Sequence, residues 1–255
     1  MKICIAGKSQ IAVHVLLALS TRFTVVCLPN PDDHGIDGWQ PSFRRVAEGL
    51  GHEIASLESL YGLDDLLFLS LEYSQLIDPA RFRSTRLFNI HFSLLPKFRG
   101  CNSAIWPILN GETEHGVTLH QIDKGMDTGP IIDRRAFKLE GMTAFDAYLT
   151  CQRVGIDLAL DWIDRLVAGD FTATPQEGEG STYRRRDLDY GLKNIDLSES
   201  TETVLRRVHA FTFPVYQRPL LEGREVHGGS ASAVEGWTER PTGTGKVWLD
   251  LRTAE

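Results

Sequence analysis

Short apolar runs and segments with helical spacing alternate along this chain. Continuous or alternating apolar residues predict strands over residues 2–6, 23–28, 66–71, 87–92, 116–123 and 131–139. Apolar residues that recur at three- and four-residue intervals predict helices over residues 11–19, 43–50, 103–109, 143–166 and 201–209. Because a strand, a helix and a strand open the chain, the pattern predicts an α/β fold with a Rossmann-like, mostly parallel sheet and helices on both faces.

Regular signals weaken in the last third of the chain. Only short β-like pieces follow residue 220, including 247–251, which favours a β-hairpin. We therefore predict a catalytic domain over residues 1–182 and a small C-terminal region over residues 183–255. We expect that region to contribute acceptor contacts and to support a homodimer.

Composition narrows the class of protein. The 255 residues are 42% hydrophobic and carry a formal net charge of −7, which argues against a general nucleic-acid binder. No apolar run reaches the ~18 residues of a membrane span, and the apolar start is too short for a signal sequence, so we expect a cytoplasmic protein. The cysteines lie too far apart for a zinc or redox motif, at Cys4, Cys27, Cys101 and Cys151.

Three polar side chains form the strongest chemical signal. Asn89 and His91 lie two apart on a predicted strand, so they share one face near its carboxyl end, where open α/β sheets bind ligands. An amide can donate to a developing oxyanion, and an imidazole can accept a proton near neutral pH. The carboxylate of Asp127, in a predicted Asp-Thr-Gly turn, could orient and stabilise a charged imidazole. Each residue alone suits a structural role, but the three together favour acyl transfer to an amine.

Other motifs have simpler explanations. Gly7-Lys8-Ser9 lacks the glycine that a P-loop needs five residues earlier, where Lys2 stands, and it predicts a strand-to-helix turn. The tripeptide 127–129 occurs once, whereas aspartic proteases need two such carboxylates. His115 and His120 fall on opposite faces of a predicted strand, so we expect no metal site.

The order and spacing of these motifs resemble the folate-dependent formyltransferases. The resemblance covers roughly residues 1–220 and is most specific over residues 88–132. It is carried by Phe88-Asn89-Ile90-His91-Phe92-Ser93-Leu94-Leu95-Pro96, Arg99-Gly100, Gly116-Val117-Thr118 and Asp123-Lys124-Gly125-Met126-Asp127-Thr128-Gly129. Two further stretches, 68–73 and 210–219, look like the sugar N-formyltransferases. Asn89, His91 and Asp127 fall on that family's catalytic trio.

The resemblance implies a reaction and its ligands. A formyl group would move from 10-formyltetrahydrofolate to the amine of a nucleotide-diphosphate-linked amino-deoxy sugar, such as a dTDP-amino-dideoxyhexose, in glycan biosynthesis. The expected folate contacts are Ser70, Leu71, Tyr73, Leu94 and Asp123. The expected acceptor contacts are Lys8, Trp106, Arg184, Arg185 and Tyr216. No metal is implied.

Two stretches allow more than one interpretation. The run Arg184–Arg186 could bind a diphosphate through bidentate contacts, or it could be a solvated surface balanced by nearby aspartates. Phe211, Phe213 and Tyr216 suit a core better than a stacking platform for a sugar or base, although a platform stays open.

Three rival functions also stay open. The acceptor could be methionyl-tRNA, which the acidic balance disfavours. The same trio could hydrolyse 10-formyltetrahydrofolate with water. A non-catalytic binding module is disfavoured by the complete trio.

Overall fold

A seven-stranded sheet forms the centre of the computed structural model, which describes residues 1–252. The strands are β1 (Lys2–Gly7), β2 (Thr24–Pro29), β3 (Glu53–Ile54), β4 (Leu66–Leu71), β5 (Arg86–His91), β6 (Arg99–Gly100), β7 (Glu114–Gln121), β8 (Ile131–Lys138), β9 (Thr182–Tyr183), β10 (Leu220–Leu221), β11 (Arg224–Glu225), β12 (Gly228–Ser230), β13 (Thr238–Thr242) and β14 (Gly245–Asp250). The α-helices are α1 (Ser9–Leu19), α2 (Phe43–Gly49), α3 (Leu57–Tyr61), α4 (Trp106–Leu109), α5 (Ala144–Ala168) and α6 (Thr201–Phe211). Short 3₁₀ turns lie at Pro79–Arg81, Arg185–Asp187 and Tyr190–Lys193.

The strand order of the central sheet is β3-β2-β1-β4-β5-β7-β8. Pairing is parallel from β3 through β5 and becomes antiparallel between β5 and β7. The predicted α/β class with a mostly parallel sheet is therefore confirmed. The antiparallel step places Asn89 opposite His120 and His91 opposite Thr118.

Strand β4 lies at the middle of this sheet, and all six of its residues are buried. Its apolar sequence, LLFLSL, suits a parallel strand that is covered on both faces. Cys4 and Cys27, on neighbouring strands, are fully buried and free, and they pack as small hydrophobic side chains. Burial raises the pKa of the Cys27 thiol to about 12.

The chain divides into two compact units. The first comprises residues 1–99, 116–136 and 151–181, and the second comprises residues 100–115, 137–150 and 182–255. The second unit thus takes in two earlier segments besides the C-terminal stretch that the sequence suggested. A division into 1–182 and 183–255 stays a prediction, since linear patterns do not show which separate segments pack together.

Most predicted elements occur within one or two residues of their expected bounds. Thr143 caps α5, because its hydroxyl accepts a hydrogen bond from the Asp146 amide at 3.2 Å. The predicted helix over 103–109 is wrong in length. Helix α4 begins only at Trp106, after a turn in which Asn102 has a positive φ of 58° and Ile105 bonds back to its carbonyl.

The C-terminal part of the second unit contains a three-stranded antiparallel sheet in the order β12-β14-β13. Strands β13 and β14 form the predicted β-hairpin, which closes between Thr242 and Gly245. None of the helices formed by residues 1–252 combines the length and the apolar character that a membrane span requires.

Candidate active site

Strand β5 carries Asn89 and His91 at the end of the ladder that it shares with β4 and β7. Asn89 lies opposite Ser70 of β4 and His120 of β7. The intervening Ile90 is buried in the core, so Asn89 and His91 point away from its side of the sheet. The sheet therefore fixes the spacing of these two side chains, as the sequence predicted.

His91 is 8% exposed and lies between a carbonyl and a carboxylate. Its Nε2 is 2.8 Å from the carbonyl oxygen of Phe98. Because a carbonyl only accepts, Nε2 carries the hydrogen, and Nδ1 holds the lone pair in the neutral ring. Nδ1 lies 3.4 Å from Oδ2 of Asp127. The carbonyl of Phe98 thus orients the ring, and Asp127 faces the nitrogen that would accept a proton.

Asn89 is oriented by a second histidine. Its Nδ2 lies 3.0 Å from Nε2 of His120 and donates to Oδ1 of Asp127 at 3.3 Å. The other ring nitrogen of His120, Nδ1, is 2.8 Å from the carbonyl of Gln121, so that nitrogen carries the hydrogen and Nε2 accepts from Asn89. Sequence reasoning considered His120 only as a metal ligand. Its role depends on the antiparallel register between β5 and β7, which no local pattern shows.

Asp127 sits on a loop of unusual backbone geometry. Its φ is +55°, and Asp123 holds the preceding turn by accepting from the Gly125 amide at 3.0 Å and the Thr128 hydroxyl at 2.6 Å. A Cβ added at Gly129 would lie 1.8 Å from the backbone oxygen of Gln121, so a glycine is required there. The loop closes against β7 and presents its carboxylate to both histidines.

Together these groups form a proton acceptor, a hydrogen-bond donor and an anion within one cluster. Oδ1 of Asp127 lies 3.7 Å from Nε2 of His120 and Oδ2 lies 3.4 Å from Nδ1 of His91. Such a carboxylate stabilises a positive charge on the imidazole. The structure thus brings Asn89, His91 and Asp127 together, and it adds His120 and the Phe98 carbonyl as groups that hold them. Their catalytic roles stay predictions.

The expected folate contacts fall in two environments. Ser70 and Leu71 end β4 and are buried, and the Leu71 carbonyl accepts from the Lys8 amide at 3.2 Å. Tyr73 is half-buried, donates to Gln75 at 2.9 Å, and has its pKa raised to about 12 by burial. Because the Leu71 side chain is fully buried, a ligand contact from it would have to use its backbone.

The other two expected folate contacts are partly exposed. Leu94 is half-buried against Gly116, where an added Cβ would lie 2.5 Å from a Leu94 methyl carbon. Asp123 uses one carboxylate oxygen to organise the loop of Asp127. Folate binding by these residues stays a prediction.

The expected acceptor contacts divide between the two units. Lys8 lies in the first unit, at the predicted strand-to-helix turn between β1 and α1. The others lie in the second unit, where Trp106 stacks on Tyr183 at 4.1 Å between ring centroids. Among residues 1–252, no hydrogen-bond partner meets the buried Nε1 of Trp106.

Tyr216 corrects the core interpretation of the aromatic stretch. Its side chain is 73% exposed and stacks on Phe213, whereas Phe211 is fully buried. The core interpretation is therefore right for Phe211 and wrong for Tyr216. Arg184, Arg185 and Arg186 are exposed, and the ion pairs found within the described residues include none of them. Nor does the described part of the chain hold a cluster of three or more side chains suited to a metal ion.

Comparison with known proteins gives a consistent family. A family model described as "Formyl transferase" matches residues 64–146. The chain is 37% identical over 187 residues to a methionyl-tRNA formyltransferase of Synechococcus sp. (strain JA-3-3Ab), a match that covers 70% of this chain and 54% of the relative. It is 33% identical to that of Halorhodospira halophila (strain DSM 244 / SL1), covering 87% and 71% respectively. The chain thus spans about half the length of the first of these relatives.

Two solved structures resemble the chain from end to end. WlaRD, a sugar 3N-formyl transferase solved in the presence of dTDP and 5-N-formyl-THF, is 33% identical with a TM-score of 0.92, covering 100% of this chain and 99% of that one. An N-formyltransferase from Helicobacter canadensis, in complex with folinic acid and dTDP-3-aminofucose, is 32% identical with a TM-score of 0.92, covering 99% and 100%.

Proposed function

Because the chain belongs to the formyl transferase family, we propose that it moves a formyl group from 10-formyltetrahydrofolate to the amine of a nucleotide-diphosphate-linked amino sugar. The observation that carries the proposal is the full-length similarity to two sugar formyltransferases at a TM-score of 0.92. The cluster of Asn89, His91 and Asp127 supplies the chemistry that this reaction needs.

His91 acts as the general base in this mechanism. As the amine attacks the formyl carbon, Nδ1 of His91 takes the amine proton, because Nε2 already donates to the Phe98 carbonyl. The ring then carries a positive charge, which Asp127 stabilises from 3.4 Å. A new carbon–nitrogen bond forms to the sugar amine while the bond to the folate nitrogen breaks. The proton held by His91 finally passes to that folate nitrogen.

Asn89 stabilises the oxyanion that develops on the formyl oxygen. Both hydrogens of its amide are engaged, one toward His120 and one toward Asp127. The bond to Asp127 is the longer, at 3.3 Å, so it is the one that a substrate oxygen displaces more readily. The bond to His120 then keeps the amide aimed while Asn89 serves the transition state.

The donor fits what surrounds the trio. Ser70 pairs with Asn89 across the sheet, so the segment that follows β4 begins beside the reacting groups. Tyr73, a few residues later, offers a half-buried aromatic ring. A folate is a flat, largely neutral ring system with an extended tail, and partly buried aromatic and apolar side chains suit it.

This proposal differs from its first alternative, a methionyl-tRNA formyltransferase, in the molecule that accepts the formyl group. The sequence relatives are methionyl-tRNA formyltransferases, whereas the two structural neighbours were solved with dTDP or a dTDP-linked 3-amino sugar. The formal charge of −7 favours the smaller acceptor, since tRNA binding is driven by basic surfaces.

A release assay tests the proposal. The enzyme and 10-formyltetrahydrofolate are incubated with nucleotide-linked amino sugars, dTDP-linked 3-amino sugars first, and tetrahydrofolate and the formylated product are both measured. We expect both to rise only with an amino sugar present. Formylation of methionyl-tRNA alone would support the tRNA rival, and release of formate without any amine would identify a hydrolase.

A further inference from the structure

Gln176 connects two loops that hold different members of the trio. Its Nε2 donates to the backbone carbonyls of Asp127 and Gly129, each at 2.8 Å. Its Oε1 accepts from Nε and Nη2 of Arg99, at 3.0 and 2.7 Å. A glutamine amide has two hydrogens to donate and one oxygen to accept with, so this side chain is fully used.

Arg99 carries the connection to the other loop. It directly follows Phe98, whose carbonyl accepts the hydrogen bond that orients His91. The Phe98 amide donates to the Ser181 hydroxyl at 2.8 Å, and the Arg99 amide donates to the Ser181 carbonyl at 2.9 Å. Phe98 has a positive φ of 58°, so these bonds hold a backbone conformation that a phenylalanine rarely adopts.

We propose that Gln176 and Arg99 form a strut that sets the distance between His91 and Asp127, and that both act as positioning residues for formyl transfer. One end of the strut fixes the peptide that orients His91, and the other fixes the left-handed backbone of Asp127. The inference rests on the proposed function for its kinetic effect, because a shift of roughly 1 Å in a reacting group can slow turnover by about 10².

The variant Gln176→Glu tests the strut with the smallest change of shape. A glutamate can still accept from Arg99, but its second oxygen cannot donate and would face the carbonyls of Asp127 and Gly129. We expect kcat to fall about ten- to a hundredfold, in line with a small displacement of Asp127, while both KM values change little. Arg99→Lys, which cannot make the paired contacts of a guanidinium, should lower kcat less.

Glu177→Gln is the matched control. Glu177 is the exposed neighbour of Gln176, and it lines an open groove of about 470 Å³ together with Pro96 and Arg134. The control exchanges the same two side-chain types in the opposite direction and should leave kcat unchanged. Thermal unfolding of each variant establishes the folded fraction at the assay temperature.

Crystal structures of the variants give a readout that needs no activity. The distance between His91 Nδ1 and Asp127 Oδ2, 3.4 Å in the parent, should lengthen in Gln176→Glu and stay unchanged in Glu177→Gln. Parental turnover in Gln176→Glu, or a loss that only follows the folded fraction, would overturn the strut. If the parent transfers no formyl group to any amine, the proposed function fails, and the distance alone then decides whether the strut exists.

Discussion

The candidate site has two halves that are held in place by different means. Asn89 and His91 lie on β5, whose backbone is paired on both sides by β4 and β7. Asp127 lies on a loop with a left-handed backbone, held by side-chain bonds from Asp123 and Gln176. The strand half is placed by the register of the sheet and oriented by the Phe98 carbonyl and His120. The loop half is held by the nearby Asp123 and by Gln176, 49 positions away in the chain.

The two halves therefore make different contributions: one carries out the chemical steps, and the other depends on how precisely its carboxylate is positioned. The strand half supplies the groups that move a proton and stabilise an oxyanion. The loop half supplies a carboxylate, whose electrostatic stabilisation of the charged imidazole depends on the distance between them. Changes in the strand half should therefore remove a chemical step. Changes in the loop half should weaken a step that still occurs.

The largest expected effect belongs to His91→Ala. Loss of the general base should lower kcat by about 10² to 10⁴, with the protein still folded. The measurement is steady-state formyl transfer with circular dichroism as a check on folding. His14→Ala, on the exposed side of α1, is the control and should behave like the parent. Parental turnover in His91→Ala would remove the imidazole from the mechanism.

Asn89→Ala should have the next largest effect. Removing one oxyanion donor lowers kcat by about 10² to 10³. The exposed Asn194 offers a control substitution, Asn194→Ala, on the second unit. If the loss in Asn89→Ala appeared in KM and not in kcat, the amide would serve ground-state binding and the oxyanion role would be wrong.

Gly129→Ala breaks the loop half while leaving β5 untouched. The new methyl group would lie 1.8 Å from the Gln121 carbonyl oxygen, so the loop must move. We expect kcat to fall by about 10² through misplacement of Asp127, and stability to fall by about 1–3 kcal/mol through overpacking. Gly38→Ala, where an added Cβ meets no atom within 4 Å, is the control. A Gly129→Ala enzyme as active as the parent would show that the loop tolerates displacement.

The arginine run lies outside both halves and should affect binding alone. If Arg184, Arg185 or Arg186 holds the acceptor diphosphate, its replacement by alanine removes a charge-assisted contact of about 1.5–3 kcal/mol. The acceptor KM should then rise on the order of ten- to a hundredfold and lose salt sensitivity, with kcat and the folate KM preserved. Arg153→Ala, on the exposed surface of α5, is the control. An unchanged acceptor KM across the series would identify the run as a solvated surface.

The two halves also differ in how much of each can be predicted from the sequence. Asn89 and His91 could be placed on one face of a strand because alternation and apolar flanks are local signals. Asp127 could be recognised by resemblance, but the residues from other parts of the chain that hold the site together could not. Gln176 and His120 reach the site through tertiary contacts across 49 and 31 positions of the chain, and no periodicity records such contacts.

The fold shows the same division between local and distant signals. Most strands of the sheet are predicted closely because they contain apolar or alternating runs, as in β4, whereas the two-residue strand β3 is too short to give such a pattern and is missed. The short helix α4 was overextended, because the left-handed turn at Asn102 is compatible with a sequence that also suits a helix. The composition of the second unit depends on segments far apart in the chain, which a linear scan keeps separate.

The central position of β4 has a consequence for the rate at which its amides exchange hydrogen with solvent. Its six buried residues pair with β1 on one side and with β5 on the other, so its amides are released to solvent only by opening of the whole sheet. Asn89 is joined to that same ladder, whereas the amides around Asp127 are released by opening of one loop. In deuterated water, the β4 and β5 amides should exchange on the slowest timescale of the protein, and those of residues 123–128 far earlier. The strand that carries the base and the oxyanion donor would then stay paired while the loop that carries the carboxylate opens and closes many times.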